Sequence, residues 1–534
     1  MKKSNLLSTA CIVFAICAAM ATTSSAQTFA SLFAFDYSDG ADVNGGLVQA
    51  TDGNLYGTTW VGGANDDGTF FVVASGAVTS LHSFDSADGT LPNGSLVQGA
   101  NGNLYGTTFG GGANGDGTVF EVTTSGTVTT LHSFDSTDGA YPWAGLVLAT
   151  DGNFYGTTFE GGAYNYGTVF KITPAGTLTT LYSFKSTDGA FPNANLIQAS
   201  NGNLYGTTDK GGTNGYGTVF EITTTGTLTT LHSFEYTDGA DPNAPLVQAA
   251  NGNFYSTAVD GGTDGDGLIF EITPAGALTV LHNFDWSDGA TPFSGGLVQG
   301  TDGNFYGTTQ IAANYGYGTI FQITPGGTET VVHYFDYTDG FYANGGLIQG
   351  TDGNFYGTAW MGGTGFGTAF SLSMGLAPFV QPRPNMGEVG AAVTILGSNL
   401  TDTSKVSFNG TTAVYKVVSA TEITTKVPSS ATTGPLTVTT QSGTLKSSGA
   451  FLVTPQFKSF APSKGPVGTK VQIAGVSLTQ TTAVSFDGVA ATEFTVVSDK
   501  KVTATVPTGA TTGTISITTA GGTATSPKTF TVTD

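Results

Sequence analysis

Short runs of apolar and threonine-rich positions, separated by glycine turns, recur along most of the chain; this is the pattern of many short β-strands. One stretch shows the arrangement. Residues 96–99, 103–109, 118–123 and 127–135 read as four strands, here called a, b, c and d. Asn101-Gly102 between a and b, and Ser125-Gly126 between c and d, are two-residue turn signals that permit positive φ. Longer loops join b to c (111–117) and d to the next a (136–144). Threonine and valine dominate c and d, as extended backbone favours.

The unit is repeated. DGNLYGTT at Asp52 returns in variant form at Asn101, Asp151, Asn201, Asn251, Asp302 and Asp352, at spacings of 49 to 51 residues. Four strands in a unit of this length predict a propeller blade, because solenoid repeats carry fewer strands or helices. The last unit ends at GTAFSLS (367–373) with no strand d after it, whereas residues 29–36 (FASLFAFD) match a strand d with no a, b and c before it. Pairing the two completes a blade and removes two open sheet edges. Residues 27–376 are therefore expected to form a seven-bladed β-propeller of four-stranded blades, with the N-terminal strand closing the last one. The core DGNFYGTT, then paired glycines, then GTVFE, resembles the bacterial tandem-repeat family called GloVer over about 29–373. That resemblance implies an exported, propeller-like array and no settled activity. Kelch propellers are similar in period and paired glycines, but a kelch blade carries a set tyrosine and tryptophan, and tryptophan occurs here in only a few units.

After residue 376 the period becomes 78–79. VTILG at Val393 pairs with VQIAG at Val471, Phe408-Asn-Gly with Phe486-Asp-Gly, and Val427-Pro428 with Val506-Pro507. Alternating segments such as PLTVTT and TISITT predict sandwich strands. These stretches resemble two IPT/TIG modules, which implies immunoglobulin-like sandwiches at 377–454 and 455–534 acting as spacers or contacts. The fold class expected is all-β throughout.

Charge narrows the partners. Charged residues are only 10% of the chain. The repeat region holds 31 acidic side chains against Lys171, Lys185 and Lys210, whereas residues 377–534 hold 11 basic and 7 acidic. A body at −28 repels phosphate backbones and anionic lipid, so neither nucleic acid nor a membrane is expected as partner. Lys2 and Lys3, an apolar run and Ser24-Ser25-Ala26 read as a signal peptide over 1–26, cut before Gln27. Both cysteines, Cys11 and Cys17, fall inside it, so the exported or cell-surface chain is expected to be disulfide-free; a monomer is expected.

No nucleophile elbow, zinc helix or phosphate loop is present. The five histidines, His82, His132, His232, His282 and His333, share one position in strand d that Phe33 and Tyr182 also fill, which reads as a packing site. The Asp-Gly pair after each strand d, from Asp39 to Asp339, reads as a side-chain-stabilised turn. Asp66, Asp116, Asp264 and Asp266 make some b–c loops oxygen-rich enough to be candidate calcium ligands, although no complete calcium loop occurs and no cofactor is otherwise expected. The b–c and d–a loops leave the same face of a propeller, so Trp60, Trp143, Trp286 and Trp360, with Tyr141 and Phe293, are expected on one rim as candidate sugar-stacking residues. Glu160, Asp209-Lys210 and Gln310 depart from the repeat without forming a recognisable catalytic set. The function expected is non-catalytic binding of a glycan or cell-surface protein. The alternatives are a polysaccharide hydrolase or lyase, and a purely structural matrix component.

Overall fold

The computed structural model describes residues 27–74, 76–312 and 316–533; the expected signal peptide lies outside them. The repeat region forms seven antiparallel sheets, one per repeat, with strands in the order a-b-c-d. In the third, a is Val147–Leu148, b Phe154–Thr158, c Thr168–Ile172 and d Leu178–Ser183. Strand a is only two residues long here and in most other repeats. The chain before it runs along the ring axis, where backbone packs on backbone: a Cβ on Gly145 would lie 2.1 Å from the Ser95 carbonyl oxygen.

The seventh sheet takes its strand d from the N-terminus. Thr28–Ala34 pairs antiparallel with Thr368–Ser373, from Thr28 opposite Ser373 to Ala34 opposite Thr368. Hydrogen bonds between neighbouring sheets are the same at this junction as elsewhere. Thr351 N donates to Gln49 Oε1 at 3.0 Å, as Thr301 N does to Gln349 Oε1 at 3.0 Å. Thr358 Oγ1 donates to the Gly45 carbonyl at 3.2 Å, as Thr107 Oγ1 does to that of Ala144 at 2.8 Å. The ring is a closed propeller.

Strand b is fully buried in most repeats, and its glycine admits the phenylalanine of strand c: a Cβ on Gly106 would meet the Phe120 ring at 2.7 Å. Strand d bulges in every repeat. In the second, the register slips at Leu131, between Thr130 and His132. The bulged residue then packs between neighbouring sheets, Leu131 on the cluster of Phe134 and Phe154. Each IPT/TIG-like unit stacks a four-stranded on a five-stranded sheet, around Ile395, Phe408 and Phe451 in the first and Ile473, Phe486 and Phe530 in the second. Among the described residues no helix is long and apolar enough to cross a membrane.

Candidate functional site

The mouth of the ring is set by backbone strain. In each repeat the d–a loop turns at a non-glycine residue with φ between 49° and 59°: Asp42, Leu91, Tyr141, Phe191, Asp241, Thr291 and Tyr342. Such residues are uncommon in the left-handed region. A main-chain clamp holds them there. Tyr141 N donates to the Asp116 carbonyl at 2.8 Å, and Phe159 N donates to that of Tyr141 at 3.1 Å. Asp241 repeats this between Tyr216 and Val259, at 3.1 and 3.3 Å. Because the backbone makes the contacts, the side chain is free to differ from repeat to repeat, and it does.

One side of the mouth is aromatic. Trp60 and Trp143 lie 5.3 Å apart between ring centroids, Phe109 and Tyr141 stack at 5.0 Å, and Phe159 and Phe191 lie 5.0 Å apart. This arc ends in a pocket of about 390 Å³ lined by Trp143, Phe159, Phe293, Asn193, Asn243, Val259, Asp209, Lys210, Asp241 and Asp260. Lys210 is ion-paired with Asp241. Burial pushes Asp209 up to about 6; Lys210 opposes the rise, and Asp241 and Asp260 add to it. Burial raises Asp260 as well, with Asp241 adding to it. Trp143 Nε1, Asn193 Oδ1, Asn243 Oδ1 and Asp241 Oδ1 are buried without a hydrogen-bond partner. Each such group costs about 1–3 kcal/mol unless a ligand or water satisfies it. Polar demand and aromatic surface converge here.

The structure places Trp143 and Phe293 in the pocket and Trp60 and Tyr141 beside it. Trp360 lies elsewhere on the mouth, its backbone nitrogen donating to the Tyr342 carbonyl at 2.9 Å and its ring 5.8 Å from that of Tyr342. Trp286 does not join them. It is 45% exposed, at the outer end of strand d with Tyr37, Tyr236 and Tyr337 in the equivalent places. The d–a loop residues of the mouth, such as Trp143 and Phe293, follow the Asp-Gly turn, whereas Trp286 precedes it.

The four aspartates considered for calcium stay within separate loops of the first, second and fifth repeats. Asp66 accepts hydrogen bonds from the Tyr37 hydroxyl and, at 3.2 Å, from Gly62 N. Asp116 Oδ2 accepts from Ser136 Oγ at 2.9 Å. Burial raises Asp266, with Asp264, Asp285 and Asp288 adding to the effect. Among the described residues the group with three potential metal ligands in reach of one another is instead His282, Asp288 and Glu329.

The histidine position also differs from a plain packing site. His82, His132, His232, His282 and His333 each place Nε2 2.7–3.0 Å from the Asp-Gly aspartate six residues on, and Tyr182 donates its hydroxyl to Asp188 at 2.6 Å. Phe33 alone has no polar atom to offer. The constant six-residue spacing of His and Asp was the available sequence signal. For the pocket acids it was the clustering of charged departures at three positions of the adjacent fourth and fifth repeats, which become neighbours only in the folded loops.

The fold is that of a β-propeller with two immunoglobulin-like modules, open at a mouth that is aromatic on one side and acidic on the other. The chain belongs to the family described as Gloeobacter/Verrucomicrobia repeat, which matches residues 13–201 and 194–370, and the IPT/TIG domain matches residues 380–453 and 455–532. No curated protein matches it. A surface glycan-binding protein from Prevotella bryantii is similar at 17% identity over 27% of this chain and 38% of that one, with a TM-score of 0.22; this chain thus spans well under half of that protein's length. A fungal alcohol oxidase of the AA5 family, in complex with copper, is similar at 14% identity over 80% of this chain and 98% of that one, with a TM-score of 0.47. A gluconolactonase from Xanthomonas campestris is similar at 14% identity over 67% and 92%, with a TM-score of 0.37.

Proposed function

We propose that this chain is an exported, monomeric binding protein whose propeller, over 27–376, takes a neutral glycan in the pocket at its mouth, with the modules at 377–454 and 455–534 as a stalk or second contact. The observation that carries this reading is the pocket itself. Within a framework that is the same in every repeat, the aromatic rings of Trp143, Phe159 and Phe293 meet unpartnered Trp143 Nε1, Asn193 Oδ1 and Asn243 Oδ1. A sugar ring supplies an apolar face for the first group and hydroxyls for the second. The surplus of acid over base in the repeat region disfavours an anionic ligand.

The test is titration of the chain with neutral oligosaccharides, first on an array and then by calorimetry. Trp143→Ala and Phe293→Ala are expected to abolish binding, while Trp286→Ala leaves it unchanged. Binding to no neutral glycan, or loss with Trp286→Ala alone, overturns the proposal.

One observation favours a second reading, a glycan hydrolase or lyase. Burial lifts Asp209, and Asp241, ion-paired with Lys210, lines the same pocket; a carboxyl with a raised pKa beside a second carboxyl in one pocket is the pattern of an acid and a base. On that reading Asp209→Asn abolishes release of shorter products and keeps binding.

A further inference from the structure

Away from the mouth, the outermost strands of the fifth and sixth sheets bring one departure from the repeat against a His-Asp pair. The residue of strand d that pairs with the last buried apolar residue of strand c is itself apolar in six repeats: Phe29, Val78, Val128, Leu178, Leu228 and Leu278. In the sixth it is Glu329, opposite Ile323. That position reaches the histidine of the preceding sheet, as the 3.9 Å stacking of Phe29 on His333 shows. Glu329 therefore meets His282, whose Nε2 already lies 2.8 Å from Asp288 Oδ2. One ligand atom from each of the three lies within 4.8 Å of the others. Glu329 Oε1 is buried with no hydrogen-bond partner. Leucine there would complete the apolar contact made in the other repeats, so packing does not account for a carboxylate.

We propose that His282, Asp288 and Glu329 form a binding site for a divalent transition ion of the zinc type, joining the fifth and sixth sheets at the outer edge of the ring. One imidazole and two carboxylates suit zinc, whereas calcium takes oxygen ligands alone. Two carboxylates match the ion's charge, and a three-ligand set leaves a fourth position for water. The other His-Asp pairs lack the third ligand. They serve as internal controls, since each keeps its hydrogen bond without the carboxylate opposite.

The test is calorimetric titration of the chelator-treated full chain with Zn²⁺, together with the visible spectrum of the Co²⁺-loaded protein. One ion per chain and a tetrahedral cobalt spectrum are expected. Glu329→Leu installs the side chain found in three other repeats, and His282→Tyr reproduces the pair made by Tyr182 and Asp188. Each is expected to fold, as circular dichroism will show, and to lose the stoichiometric ion. No binding by the unaltered chain at micromolar Zn²⁺, or retained stoichiometry in both folded variants, overturns the proposal.

Discussion

Each repeat supplies its buried tyrosine hydroxyl with one carboxylate, by one of two routes. Where the a–b turn begins with aspartate, the tyrosine donates to it, as Tyr155 does to Asp151 at 2.8 Å. Where it begins with asparagine, the acceptor is a glutamate on strand c: Tyr105 donates to Glu121 and Tyr205 to Glu221, at 2.9 and 2.8 Å. Asn101 Nδ2 donates to the same Glu121 oxygen at 2.8 Å. Asn101→Asp therefore sets two carboxylates against one another and is expected to destabilise the chain by about 1–2 kcal/mol. Adding Glu121→Gln recreates the natural pairing of Asp302 with Gln322 and should restore most of the loss, which a double-mutant cycle by thermal unfolding reads directly. Asp209 gives a pH signature. Its folded pKa of about 6 stands above its ordinary 3.8, so the native chain keeps a proton that the unfolded chain releases between these values. Stability falls as pH rises through that window, by no more than about 3 kcal/mol from this group. Asp209→Asn should remove that share, so the difference in melting temperature between variant and parent widens from pH 4 to pH 6 and is flat above.

Ring closure belongs to the scale of the strand. Deleting residues 27–36 exposes the edge of Thr368–Ser373 and removes Phe29 and Phe35, which pack on Phe370 and Phe71. The expected result is a lower melting temperature and concentration-dependent association on size exclusion, partly reversed by a peptide of the deleted sequence. The missing strand d could be foreseen because a repeat with an absent piece and a piece with an absent repeat are both visible in one dimension. The bulge could not. Thr127 to Asp135 reads as a plain extended run, and the slip at Leu131 that turns leucine toward the neighbouring sheet depends on that neighbour's surface. The same limit applies at the mouth. Trp143 and Phe293 were legible as loop aromatics, but Asp209, Asp241 and Asp260 stand 19 to 51 residues apart and meet only through the left-handed turn at Asp241.

At the scale of the molecule, the first IPT/TIG-like unit rests on the end of the propeller away from the pocket. Arg383 donates to the Gln49 carbonyl at 2.8 Å and to Gln98 Oε1 at 3.0 Å, and Thr421 Oγ1 donates to the Thr51 carbonyl at 3.0 Å. These acceptors lie in strand a or the a–b turn. Strand b runs from there, Leu55, to the mouth, beyond Thr59. The module thus anchors one end of the ring and leaves the aromatic and acidic end free. Arg383 has neutral oxygens rather than a carboxylate as its acceptors here, so its hold is a set of charge-assisted hydrogen bonds worth about 1.5–3 kcal/mol each at most. Arg383→Ala removes them while Gln98 Oε1 keeps its bond from Thr51 N. Propeller and module should then melt as separate calorimetric transitions, with oligosaccharide affinity at the mouth unchanged. A loss of affinity in that variant would mean that the two ends of the ring are coupled, and that the module does more than carry the propeller.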